Sequence, residues 1–338
     1  MPILQVNMYA IYEFYVFYKI GGNGMENIEN DEALYEYFFK LIDEIGFDEL
    51  FAIEVEAKAK NEEHFAKLKE NGVCGFKVVK EHDVNMLEVE GLGYLKFQKK
   101  DLKKIIDVCN ELVREGCIVD KQCGGHIHMD RSIFKKPREL WNVFEIVSLA
   151  CPIFELMFNE EGNLPREGVL LYARDTFPNL KKHLPIEHIK TVDELYQFIP
   201  IMQDMFYTAF ANLKVSEDYN TLEIRIANGT LSPKVWIENV ILYFAIVKAS
   251  INLENPSSEN WEEKKKLKER LSDKSISIDR RSEFLLDLLF NNEQIKEIYR
   301  NRFKVNRELQ IDQKEFEELY NKRNKKNLNN INTYDLEK

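Results

Sequence analysis

The segment Cys123-Gly-Gly-His126-Ile-His128-Met-Asp130 places two imidazoles one residue apart. On a strand, alternate side chains share a face, so both rings point the same way. That geometry suits metal or phosphate chemistry. The chain holds only six histidines, so a paired arrangement is informative. Three further pairs share the design: Glu54-Val-Glu56, Glu88-Val-Glu90 and Glu223-Ile-Arg225. Each sets an apolar residue between two ionisable ones.

Two glutamates on one strand face repel unless a cation neutralises them. A solvated strand edge is the plain reading of such a pair. On a concave sheet, the carboxylates of Glu54 and Glu56, with Glu88 or Glu90, are hard oxygen donors for Mg²⁺ or Mn²⁺. In Glu223-Ile-Arg225 a carboxylate serves a metal and a guanidinium serves a phosphate or carboxylate oxygen. Asn228-Gly229-Thr230 forms a turn that can carry a polar group to the same place. Zinc hydrolases also use His-x-His, but with further histidines at later strand ends. Here His183 and His188 fall in an irregular stretch.

The elements that must position these residues are mixed. Apolar spacing predicts a helix through Leu34, Phe38, Leu41, Ile42 and Ile45, capped by Asn30 and stopped by Gly46. Residues 50–57 read as a strand. A short helix is expected around 61–71, with strands at 76–80 and 86–90. A helix at 101–115 buries Leu102, Ile105, Ile106, Cys109, Leu112 and Val113 and leads into the histidine strand. Residues 137–158 read as helix kinked at Pro152, and 160–190 as a long functional loop. Thr191 and Glu194 form a capping box for a helix to about 210. A hairpin-like region delivers residues 222–226, and Ser232-Pro233 opens an apolar helix to about 252. Beyond Asn255-Pro256 the composition turns charged and helical, and residues 322–338 read as a disordered tail. The absence of a steady βαβ rhythm favours an α+β fold, a mostly antiparallel sheet with helices on one side. Neither GxGxxG nor GxxxxGK[ST] occurs.

The length of 338 residues and 44% hydrophobic content suffice for a large core. A net charge of -11 argues against nucleic acid or anionic membrane as the main partner. Five cysteines without a CxxC pair fit a reducing cytoplasm. Residues 3–20 carry Gln5, Asn7, Glu13 and Lys19, so a strand is expected there rather than a signal peptide or membrane span.

With these residues assembled, the chain resembles the amidoligase family of glutamine synthetase-like carboxylate–amine ligases. Ile53-Glu-Val-Glu56, Cys123-Gly-Gly-His-Ile-His-Met129 and Thr221-Leu-Glu-Ile-Arg-Ile-Ala-Asn-Gly-Thr-Leu231 carry the likeness, in the family's order. It spans about residues 50 to 250, and more weakly 282–304. The N-terminal extension (1–49) of strand and helix is unusual for the family. The resemblance implies a catalytic core (50–254) and a helical C-terminal region (255–321) before the tail. It also implies a curved sheet, with helices on its outer face, whose concave face binds ATP and divalent metal. Carried over by position, Glu54, Glu56, Glu88, His126 and Glu223 supply metal ligands. Arg225 faces the transferred phosphoryl group, with Glu223 beside it in catalysis. His128 lies near the nucleotide phosphates, with Arg225 and Asn228, or just behind the metal ligands. Asn212 contacts substrate. Family members usually follow the second acidic strand with Ser-Pro, whereas this chain has Glu90-Gly91, so Glu88 and Glu90 both stay open as the ligand. The implied activity is ATP-dependent amide-bond formation between a small-molecule or peptide carboxylate and an amine. A metal-dependent hydrolase and a catalytically silent nucleotide-binding protein are the alternatives.

Overall fold

A strand that alternates apolar and charged residues can bury one face and give the other to polar work. Among the described residues, six strands build a sheet with two such faces. The computed structural model describes residues 31–46, 48–81, 85–90, 92–120, 122–163, 177–205, 213–216 and 220–309. The expected N-terminal strand, the Asn30 cap, Asn212 and the tail at 322–338 lie outside the described residues.

The strands are β1 (Phe51–Lys58), β2 (Lys77–Lys80), β3 (Met86–Glu90), β4 (Gly124–Asp130), β5 (Leu213–Ser216) and β6 (Thr221–Asn228). They form one sheet in the order β2-β3-β1-β4-β6-β5. Every neighbouring pair is antiparallel, so the fold is α+β. Ile53 and Val55 of β1, Ile127 and Met129 of β4, and Leu222 and Ile224 of β6 are fully or almost fully buried. Burial at this scale contributes roughly 1.5–3 kcal/mol per large side chain.

Among the described residues, eleven α-helices surround or extend the sheet. They are α1 (Asp31–Ile45), α2 (Glu62–Asn71), α3 (Lys99–Glu115), α4 (Pro137–Leu149), α5 (Cys151–Met157), α6 (Phe177–His183), α7 (Val192–Met205), α8 (Pro233–Asn252), α9 (Trp261–Ser272), α10 (Ile278–Leu289) and α11 (Glu293–Glu308). Helix α8 lies against the apolar side of the sheet. Its Phe244 meets Phe51 edge-on at 6.0 Å, and Tyr243 Oη donates to the Leu222 carbonyl at 3.0 Å. Ser232 accepts from the Val235 amide and Pro233 begins the helix, as its sequence predicts. This helix is long and apolar enough to cross a membrane, but 83% of its apolar window is buried in the protein.

Helices α1 and α11 share the same core. Tyr37 Oη of α1 donates to Glu238 Oε1 of α8 at 2.5 Å. Arg302 of α11 ion-pairs with Glu238 in the interior and donates to Asn239 Oδ1 at 2.8 Å. The buried charge is therefore paired, as burial requires.

Three local expectations change. The run at 137–158 is two helices, α4 and α5, bent by 80°. Pro152 has no amide proton to continue the first helix and starts the second. The stretch 160–190 is not one loop. It contains α6 and a 3₁₀ turn at Ile186–His188, because Phe177, Leu180 and Leu184 make a short buried stripe against Trp141, 5.0 Å from Phe177. Val113 is exposed, whereas Val108 joins the buried face of α3. In α7, Thr191 Oγ1 accepts from the Glu194 amide, and Glu194 reaches back to the Lys190 amide.

Candidate metal centre

The face of the sheet opposite Ile53, Ile127 and Ile224 carries the paired residues. Register brings them together. Glu54 stands across from His126 in the β1–β4 pair, and Glu56 across from Glu88 in the β1–β3 pair. His128 stands across from Glu223 in the β4–β6 pair. Between Gly125 and Ile127 the β4–β6 register shifts, with one extra residue on β6. Such a bulge re-aims side chains at the point where it occurs.

The second glycine of the histidine motif, Gly125, has a steric cause. A Cβ on Gly125 would lie 2.6 Å from the Asn228 carbonyl oxygen and 3.2 Å from the Trp236 ring. Only glycine allows this approach of β6 and α8 to β4. The Gly124 amide donates to Glu56 Oε2 at 2.5 Å, which fixes that carboxylate at the head of the strand.

His126, His128, Glu56 and Glu223 are all buried. His126 Nδ1 lies 2.7 Å from Glu54 Oε2 and 3.5 Å from Glu223 Oε1. His126 Nε2 is 3.6 Å from Glu56 Oε1 and has no hydrogen-bond partner among the described residues. His128 Nε2 is 2.9 Å from Glu54 Oε1, and its Nδ1 is 3.0 Å from Thr221 Oγ1. Arg225 Nη1 donates to Glu223 Oε1 at 2.5 Å. One oxygen of Glu223 thus faces both a guanidinium and an imidazole.

Electrostatics follow from this crowding. Burial alone would raise the Glu54 pKa, but hydrogen bonds from His126 and His128 hold it well below the usual carboxylate range. Burial opposes the charge of His128, yet its bond to Glu54 and the nearby Glu223 raise its pKa above the ordinary value. Glu88 has the opposite fate. Burial, then the charge of Glu54, then the hydrogen bond and charge of Glu81 and the charge of Glu56 push it up to about 9. Glu90 instead pairs with Lys77 at 2.8 Å near the surface. Of the two open candidates, Glu88 is the one set among the other carboxylates.

Glu54, His126 and Glu223 each offer a ligand atom, and these atoms lie within 4.8 Å of one another. Two carboxylates and an imidazole fit a divalent ion such as Mg²⁺ or Mn²⁺, and the other His126 ring nitrogen, Nε2, faces Glu56, a further carboxylate of the set. Asn228 sits across from Gly124 at the end of β6, and its amide donates to Asn159 Oδ1 at 2.8 Å.

Sequence reasoning missed Glu81 and Thr221. Thr221 continues the alternation Thr221, Glu223, Arg225 on β6. Glu81 follows β2 in the alternation Lys77, Val79, Glu81, and Val79 pairs with Glu88. Both signals become readable only once the strands are placed in register. A cavity of about 310 Å³ adjoins the group, with Glu54, Glu88 and His128 among its walls.

Compared with known proteins, the chain matches no family model and no curated protein sequence.

Proposed function

We propose that the protein is an ATP-dependent carboxylate–amine ligase of the glutamine synthetase-like kind, working with Mg²⁺ or Mn²⁺. The observation that carries this reading is the convergence of Glu54, His126 and Glu223 within 4.8 Å, with Arg225 bonded to Glu223. A hydrolytic metal site also needs carboxylates and imidazole. It has less use for a partly buried guanidinium held beside a ligand, whereas phosphoryl transfer places such a cation on the developing charge.

In the proposed reaction an oxygen of the substrate carboxylate attacks the γ-phosphorus of ATP. The bond to the β,γ-bridging oxygen breaks, and ADP leaves. The amine lone pair then attacks the acyl carbon, phosphate departs with its oxygen, and the amine loses a proton. Divalent metal supplies charge neutralisation on the phosphate oxygens. Glu54, His126 and Glu223 would hold it, with Glu56 and Glu88 alongside. Arg225 is aimed by Glu223 and stabilises charge on the transferred group, an effect typically worth about 3 kcal/mol. His128, held between Glu54 and Thr221, presents a cation to the phosphates. Asn212 and Asn228 remain proposed contacts to substrate and nucleotide. The reducing cytoplasm remains the proposed compartment.

ADP release across a panel of carboxylates and amines tests this reading, with Glu223→Gln as the control. The ligase reading predicts release by the wild type that the variant lacks. Equal release by both, or hydrolysis of the panel without ATP, overturns it.

A further inference from the structure

The cavity beside the metal centre has a composition that the metal does not explain. A divalent ion with its waters needs only polar walls, and one water occupies roughly 30 Å³ of liquid volume. This cavity measures about 310 Å³ and is lined by Leu50, Leu92 and Tyr94 as well as by acids. That size suits a small organic molecule. Leu92 is buried, while Tyr94, whose backbone φ is 54°, is 76% exposed at the rim.

Charge selects the sign of the occupant. Beyond Glu54 and Glu88, which serve the metal reading, the walls hold Glu90 and Asp130. These two sit on the same face of the sheet, on β3 and β4, with β1 between them. Lys77 pairs with Glu90 from the exposed side, where solvent screens it. Asp130 Oδ1 accepts the Ser132 amide at 2.7 Å. His128 is the sole basic side chain among the described lining residues. An anionic occupant would face repulsion from Glu90 and Asp130. A cation would meet two carboxylates, and its chain would lie on Leu50, Leu92 and the Tyr94 ring, which also attracts ammonium groups.

We propose that this cavity seats the amine substrate, an organic cation with an aliphatic body rather than ammonia. This assignment rests on the ligase reading above.

Calorimetric titration of the full chain tests it, in the presence of Mg²⁺, with and without a non-hydrolysable ATP analogue. The probes are 1,5-diaminopentane, pentanedioate of the same length and opposite charge, and methylammonium without the chain. The diamine is expected to bind at least about tenfold more tightly than either control. Tyr94→Ala should weaken it about three- to fivefold, and Glu90→Gln and Asp130→Asn should each weaken it measurably. Tyr94 is exposed, so its truncation leaves the fold intact. No diamine binding in either arm, equal binding of pentanedioate, or indifference to all three substitutions overturns the proposal. A separate titration of the ATP analogue keeps the two readings distinct. Diamine binding without nucleotide binding sinks the ligase reading, and with it the role of substrate, but leaves the cavity's preference for an organic cation; nucleotide binding without diamine binding sinks the cavity assignment alone.

Discussion

Glu54 and His126 face each other across the β1–β4 pair, with Glu54 Oε2 2.7 Å from His126 Nδ1. The cross-strand register makes the contact, so the pair is part of the sheet rather than of a loop. A site built on strands is held more rigidly than one on loops. The other oxygen of Glu54 engages His128, and a bound cation would compete for both.

Removing a ligand should therefore show directly in metal affinity. His126→Ala and Glu223→Gln are each expected to weaken Mn²⁺ binding at least tenfold, since loss of an outer-shell partner alone typically costs about 10–100-fold. Electron paramagnetic resonance of free Mn²⁺ in a titration measures this. Circular dichroism of the variants checks that the fold persists.

Glu88 sets a pH signature in metal-free protein. Its pKa is raised from 4.5 to about 9, so the folded state holds a proton that the unfolded state has released. Stability from this group is thus undiminished below about pH 4.5 and falls as pH rises toward 9. Glu88→Gln should stabilise the metal-free protein by about 1 kcal/mol or more near pH 7, after discounting for solvent screening. The gain should vanish near pH 4.5. Urea denaturation of both proteins at the two pH values measures it. A gain that is unchanged at low pH would place its origin elsewhere.

Much of the site is legible in the chain because it is local. His126-x-His128, Glu54-x-Glu56 and Glu223-x-Arg225 each share a face by strand alternation alone. Which pair meets which is not local. Glu54 reaches both histidines, and Glu56 meets Glu88, only through registers spanning dozens of residues. The bulge opposite His126 leaves no mark in the order of residues. Helix α6 was hidden for another reason. Its stripe of Phe177, Leu180 and Leu184 is brief, and the prolines and glycines around it read as loop.

Gly125 is expected to be intolerant of even one methyl group. A Cβ there would clash with the Asn228 carbonyl and press on Trp236 and Ala227. Backbone oxygen cannot give way as a flexible side chain can. Gly125→Ala should destabilise the protein by about 1–3 kcal/mol, the usual range for overpacking, and lower Mn²⁺ affinity by shifting His126. Chemical denaturation with the Mn²⁺ titration above measures both. Wild-type stability and affinity would contradict this packing.

The ligase reading is tested most directly by following oxygen. A carboxylate substrate from the ADP-release panel, labelled with ¹⁸O in its carboxyl group, is incubated with the protein, ATP, Mg²⁺ and an amine. Mass spectrometry then reads the inorganic phosphate. Transfer through an acyl phosphate predicts that each phosphate released carries one ¹⁸O from the carboxylate, and that Glu223→Gln releases none. Phosphate formed without the label, or no ATP-dependent product with any carboxylate and amine of the panel, would contradict it.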